Sequence, residues 1–366
     1  MQYFRYLFLL QILLACSLFS LAAVPSDSLK EEKRPSKFVA GLKRLVQKFT
    51  ETDTTYIEPQ RYNFTVMLQE TNTVERYTLK NKQGQEVTFS PRSAFKLGPY
   101  FGYRWVFFGY TFDLNHLGSS NRKTEIDLSI YAPQLGIDLF YRDLGNKYLL
   151  KRVKLGNDVD TSPLRDASFE GLSGKISGFN LYYIFNHHKF SYPAAFSQST
   201  IQRRSAGSVM AGFGYMRHSL NIDWNDFNDL VQSKLGNTSG IVGIDSTLLQ
   251  NRVRYTDLSL SAGYGYNWVF ARNCLFAVSL SLALAYKHSW SELEERSFTF
   301  KNFSFSNINF DGVGRLGLVY NNMRWYCGAS AIFHTYNYKK SQFSTNTTFG
   351  NFNIYIGFNF GKRKHM

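Results

Sequence analysis

The stretch YTDLSLSAGYGYNWVFARNCLFAVSLSLALAY, residues 255–286, decides the fold. Successive side chains of an extended strand point to opposite faces. Leu258, Leu260, Ala262, Tyr264, Tyr266 and Trp268 therefore share one face. After the short segment Val269 to Cys274, a second run places Phe276, Val278, Leu280, Leu282, Leu284 and Tyr286 on one face and Ala277, Ser279, Ser281, Ala283 and Ala285 on the other. A soluble sheet also alternates. Here the large apolar side ends in aromatic clusters and the opposite side is small and polar, which is how a strand of a transmembrane β-barrel reads.

The chain opens with Arg5, an apolar run from Tyr6 to Leu14 and the small residues Ser20 and Ala22, so residues 1–22 read as a secretory signal peptide. Leu13-Leu14-Ala15-Cys16 fits a lipoprotein cleavage box, but the apolar run continues through Leu18, Phe19 and Leu21, which favours cleavage after Ala22 or Ala23. No later stretch is long and apolar enough for a helical membrane span. The aromatic content of 17% suits the two interfaces of a bilayer, where a ring sits half in lipid and half in water. A net charge of +15 points to anionic neighbours. For an exported barrel these are lipopolysaccharide phosphates and anionic inner-leaflet lipids, not nucleic acid.

Residues 23–61 are basic, and within them Phe38, Leu42, Leu45, Val46 and Phe49 recur at helical spacing, so 36–50 is expected to form a periplasmic amphipathic helix. The barrel is expected over 62–360, followed by a basic tail, 361–366. Short periplasmic turns must alternate with long outer loops. That rule yields strands at Tyr62 to Gln69, Lys96 to Tyr103, Val106 to Leu114, Thr124 to Ala132, Gly136 to Asp143, Lys175 to Phe185 and Lys189 to Phe196. Further strands fall at Gly207 to Tyr215, His218 to Trp224, Arg254 to Trp268, Leu275 to Lys287, Asn307 to Tyr320, Trp325 to Tyr338 and Thr348 to Phe360. The expected fold is thus all-β, a transmembrane antiparallel barrel of about 14 strands, with about 12 or about 16 also compatible. Residues Val74 to Leu79 and Glu86 to Ser90 are the source of that latitude, since they can form an additional hairpin.

Three segments carry a family resemblance: Asp53-Thr54-Thr55-Tyr56-Ile57-Glu58-Pro59, Leu97 to Trp105 (LGPYFGYRW), and Phe190 to Gly207 (FSYPAAFSQSTIQRRSAG). Over about Asp53 to Phe360 the chain resembles the domain of unknown function 4421 of Bacteroides-type bacteria. The resemblance implies an outer-membrane location and assigns no activity. The closing Tyr355-Ile356-Gly357-Phe358-Asn359-Phe360 also resembles the terminal signal read by barrel-assembly machinery.

Placing the small or polar face of each strand in the lumen gives a candidate polar network of Asp127, Arg142, Asp257, Lys287, Asp311, Arg315 and His334. Counting back from the short turns sets Asp257 near Lys287, Asp127 near Arg142, Asp311 opposite His334 and Arg315 opposite Ser330. Such groups either fill and rigidify the lumen or line a polar channel for a small solute. A second candidate, Ser197, Ser199, Arg203 and Arg204, is expected at the outer end of its hairpin, as a plain loop, a segment folded into the lumen, or a clamp for lipopolysaccharide phosphates. Cys274 and Cys327 are expected as free or structural thiols, since another strand separates theirs; no cofactor is read, and so few soft ligands give no metal site. The expected role is a pore or transporter, or a binding or structural barrel. The alternative is an enzyme acting on outer-membrane lipid, of phospholipase or lipid A deacylase type.

Overall fold

The computed structural model describes residues 51–92, 95–103, 106–109, 112–113, 124–156, 159–236, 252–289, 307–339 and 343–363. The expected signal peptide, the 36–50 helix and the end of the basic tail lie outside these residues. In chain order the elements are β1 (Ile57–Pro59), β2 (Tyr62–Asn81), β3 (Glu86–Pro91), β4 (Phe95–Tyr103), β5 (Val106–Gly109), β6 (Phe112–Asp113), β7 (Thr124–Tyr131), β8 (Leu135–Asp143), β9 (Tyr148–Lys154), β10 (Ser168–Phe169), β11 (Leu172–Ile184), helix α1 (Tyr192–Phe196), β12 (Thr200–Gln202), β13 (Ala206–Ile222), helix α2 (Trp224–Leu235), β14 (Arg252–Ala271), β15 (Cys274–Ser289), β16 (Ile308–Asn321), β17 (Trp325–Lys339) and β18 (Phe343–Lys362).

All but β1 and β12 belong to one antiparallel sheet of sixteen strands. Its wall runs β4, β2, β18, β17, β16, β15, β14, β13, β11, β8, β7, with β5 and β6 end to end along β4 as two pieces of one pass. The first long strand pairs with the last along nearly its whole length, from Tyr62↔Lys362 to Asn81↔Phe343. Only ten residues separate β6 from β7, the two ends of that wall, so the sheet curls round to bring them within reach, although no ladder pairs them among the described residues. Side chains on opposite walls then meet: Arg142 of β8 reaches Glu75 of β2, and Arg315 of β16 reaches Asp138 of β8.

The two faces differ as the alternation requires. Leu260, Leu282 and Phe310 are 69%, 62% and 69% exposed, whereas Asp257, Lys287 and Asp311 on the concave face are 1%, 0% and 4% exposed. A contiguous apolar outer surface of this kind marks contact with lipid or another protein. Trp268, Phe270 and Trp325 gather at the end of the barrel that carries the tight turns. There the β14–β15 turn is made by Arg272 and Asn273, with Asn273 at φ 64. Met323 takes φ 82 in the β16–β17 turn, held by Asn321 Oδ1, which accepts its N–H, and by Asn359, which donates to its carbonyl.

Two expected strands are corrected. Met216-Arg217 is not a turn: β13 runs straight through it, paired with β11 and β14. Lys189 to Phe196 is not a strand: Ser191 caps α1 through Ala194 N–H, and Pro193 sits in its first turn, where the missing N–H costs nothing. Among the described residues the wall therefore consists of twelve passes, and the remaining strands of the sheet, β3, β9 and β10, branch from it. The expected first strand is longer than read, because β2 continues to Asn81: its first half pairs with β4 and its second half with β3. The suspected extra hairpin is thus the root of that branch.

Candidate functional site

The lumen is occupied at both ends. At the long-loop end, β3, β9, β10 and α2 fold over the mouth and share one apolar core with inward residues of the wall, among them Phe140, Met216, Leu220, Tyr336 and Phe349. Helix α2 starts because Asp223 Oδ1 accepts the N–H groups of Asn225 and Asp226, and stops at Gly236, φ 77. Its Trp224, Phe227 and Val231 recur on one stripe and are buried. Phe89, Phe169 and Phe227 meet with centroids 5.3 to 6.4 Å apart. Tyr77 and Tyr148 add an edge contact at 5.9 Å.

At the short-turn end the stopper is a single stretch, residues 185–205, between β11 and β13. It turns inward instead of closing a hairpin. Tyr192 Oη donates to Ser279 Oγ at 2.6 Å, and Gln198 Nε2 donates to Tyr355 Oη at 2.7 Å. Asn267 Nδ2 donates to Ser191 O, and Ala194 and Ala195 pack on Leu275, Ala277 and Val319. Gln202 holds the stretch in shape: its Oε1 accepts Ser191 N–H and Asn267 Nδ2, and its Nε2 donates to the carbonyls of Lys189 and Arg204. The short sheet β1–β12 ties residues 57–59 to 200–202. Asp53 sits beside it, and the Thr55 hydroxyl and N–H hold its carboxyl below the ordinary range. Burial, aided by the neighbouring His188, keeps His187 below its ordinary value, and its Nε2 lies 2.9 Å from Gln134 Nε2.

This location corrects the expected outer-loop site. Ser197, Ser199, Arg203 and Arg204 lie at the short-turn end, the serines engaged within the stopper and the arginines by its neighbours. Ser197 Oγ donates to Pro193 O, and Ser197 and Ser199 hydroxyls are 3.1 Å apart. Arg203 pairs with Glu58 and donates to Asn273 Oδ1, while the Arg204 guanidinium lies 5.7 Å from the Tyr56 ring centroid. The misplacement follows from the two misread strands, which moved this stretch to the wrong end of the alternation.

Between the stoppers Arg142, Asp257, Lys287, Asp311, Arg315 and His334 are buried, with partners partly as expected. Asp257 and Lys287 are direct ladder partners, as the count from the turn requires. Lys287 Nζ also contacts Asp311 at 2.8 Å, and all three side chains are buried. The other expected pairs shift by two residues. Val313, not Asp311, stands opposite His334, and Gly317, not Arg315, opposite Ser330. Asp127 stands opposite Phe140, and Glu125 opposite Arg142. The turns take up one or two residues fewer than the count assumed. Arg142 instead crosses the lumen to Glu75 at 3.0 Å and lies over the Phe349 ring at 4.4 Å. Arg315 crosses to Asp138 and stacks on Tyr182 at 5.0 Å. His334 stacks on Phe349 at 5.1 Å, with Nδ1 3.4 Å from Tyr336 Oη. Cross-lumen partners escape strand counting, which reports only neighbours in the ladder. Cys274 and Cys327 are free, each opposite Tyr320 from its own side.

Chemically this interior is a set of buried ion pairs and ring stacks. His187, His218 and His334 face Gln134, Thr347 and Tyr336, none of them a serine.

No curated protein matches the chain in sequence at a significant level. Among solved structures, the transport unit of the autotransporter AIDA-I from Escherichia coli is similar over 81% of this chain and 90% of that one, at 11% identity and a TM-score of 0.32. The toluene transporter TodX of P. putida is similar over 82% and 91%, at 9% identity and a TM-score of 0.21. The translocator domain of the autotransporter NalP from Neisseria meningitidis is similar over 88% and 94%, at 10% identity and a TM-score of 0.25. Scores this low carry no argument about what this chain binds or moves. Sequence is more specific: residues 51–360 match the model described as Domain of unknown function (DUF4421), and the chain belongs to that family.

Proposed function

We propose that the chain spans the outer membrane as a closed barrel and serves as a binding or structural barrel, with its short-turn end in the periplasm and the β3–β9–β10–α2 cap outside. The apolar band on the wall supports the membrane setting. Leu280, Leu284 and Ile354 are 58%, 54% and 52% exposed, which suits lipid tails and is costly in water. Strands need only about 9–11 residues to cross. The 20-residue β2, β14 and β18 therefore extend beyond the bilayer and can carry the cap.

The observation that carries the closed reading is the continuous apolar core joining the cap to Phe140, Tyr336 and Phe349 of the wall. Free passage of a solute would have to dismantle it. Outer-membrane lipids are the partners of the band, lipopolysaccharide that of the exposed outer rim, and barrel-assembly machinery that of β18 during insertion. In planar bilayers the purified protein is expected to give no steady conductance. A stable open-channel current from the wild type would overturn the closed reading, and failure to shift mobility on boiling would overturn the barrel.

A further inference from the structure

Asp257, Lys287 and Asp311 have the makings of more than an ion pair. Lys287 Nζ lies 2.8 Å from each carboxylate oxygen of Asp311 and 3.3 Å from Oδ2 of Asp257, with side-chain exposures of 0%, 3% and 2% for the lysine, Asp311 and Asp257. The rings of Tyr255 and Tyr336 flank the amine at 5.4 and 5.6 Å. Tyr255 in turn stacks on Tyr338 at 4.7 Å, closing that side with aromatic surface. The backbone N–H of Asn337 donates to Asp311 Oδ1 at 2.8 Å and holds that carboxylate beside the amine.

An amine pressed against a carboxyl, dry, beside a second carboxyl able to carry protons, is set up for condensation. The amine becomes a nucleophile once desolvated and relieved of its proton. The neighbouring acid supplies general acid–base transfer within hydrogen-bond reach. Two charges buried in aromatic surroundings are costly, and a neutral amide removes both.

We propose that Lys287 and Asp311 join in an intramolecular isopeptide bond, with Asp257 as the proton carrier. An ammonium proton passes to the Asp257 carboxylate. Asp257 hands that proton to an Asp311 oxygen as the freed Nζ lone pair attacks Cγ of Asp311. The N–C bond forms; a second nitrogen proton then passes through Asp257 to the hydroxyl so created, and the C–O bond breaks as it leaves as water. Asp257 ends as the carboxylate it began. No co-reactant is consumed. The product ties β15 to β16 at the base of the long connection between them.

The test is mass spectrometry of the purified full chain, denatured and digested with trypsin. The expected result is a branched peptide joining Lys287 to Asp311, lighter by one water than its two parts, with no cleavage after Lys287. Separate, unmodified peptides from the wild type overturn the bond. Asp257→Asn is expected to yield the separate peptides while still shifting mobility on boiling; a cross-link persisting in that variant overturns the role of Asp257. The wild-type digest decides the bond whether or not the variant folds.

Discussion

The two stoppers solve one problem with different physics. The long-loop end is closed by pieces distant in sequence, β3, β9, β10 and α2, that bury Phe89, Phe169, Trp224 and Phe227 against the wall. The short-turn end is closed by one continuous stretch, residues 185–205, held largely by side-chain amides and hydroxyls such as Gln202, Gln198 and Tyr192. Apolar burial from many elements is lost only when the whole assembly opens, whereas hydrogen bonds to a single stretch can be released with that stretch alone. The cap is therefore expected to open with global unfolding, and the insert to open by itself.

The sharpest test of that contrast is Phe227→Ala, which empties a fully buried position of the cap and is expected to cost about 3–5 kcal/mol in chemical unfolding of the detergent-solubilised protein. A loss well under this range would mean that the cap is not part of the wall's cooperative core. A smaller effect is expected from Gln202→Ala. It leaves Ser191 N–H and Asn267 Nδ2 without their acceptor at a cost of about 1–3 kcal/mol, read as faster hydrogen exchange over 186–205 while cap amides stay protected. Equal acceleration at both ends would dissolve the distinction.

The mildest effect is one of pH. Because His187 is held below its ordinary value, the folded insert takes up its proton less readily than the free segment. Its contribution is complete above about pH 6.5, the ordinary histidine value, and declines as the pH falls below it. Exchange over 186–205 is expected to quicken at mildly acidic pH, and His187→Gln is expected to remove that dependence.

Much of the wall was legible because a strand in a barrel repeats every two residues and a tight turn resets the count visibly. The β14–β15 hairpin placed Asp257 against Lys287 from spacing alone, and Arg272-Asn273 carries recognisable turn chemistry. The failures share a cause. Lys189 to Phe196 was counted as a strand although Ser191-Tyr192-Pro193 has a helix start's cap and proline, and that error obliged a second false turn at Met216-Arg217, where no turn-forming residue stands. The cross-lumen pairs could not be read at all. Glu75 and Arg142, or Asp138 and Arg315, become neighbours only once the sheet has curled, and no local pattern records that curvature. Two of the stretches that carry the family resemblance, 53–59 and 190–207, meet in the insert through β1 and β12. The resemblance thus marked the short-turn stopper before any geometry located it.

The pairing of β2 with β18 sets the order of events during biogenesis. Its partners stand at opposite ends of the barrel sequence, Tyr62 with Lys362, so this ladder closes the longest loop in the molecule and returns nothing until the final strand has arrived. The cap hangs from the far half of the same β2. A nascent chain truncated before Phe343 would leave one full edge of β2 unmatched and sticky toward other chains. Completion of the last strand is the checkpoint at which an aggregation-prone ribbon gains the ladder that joins its first strand to its last.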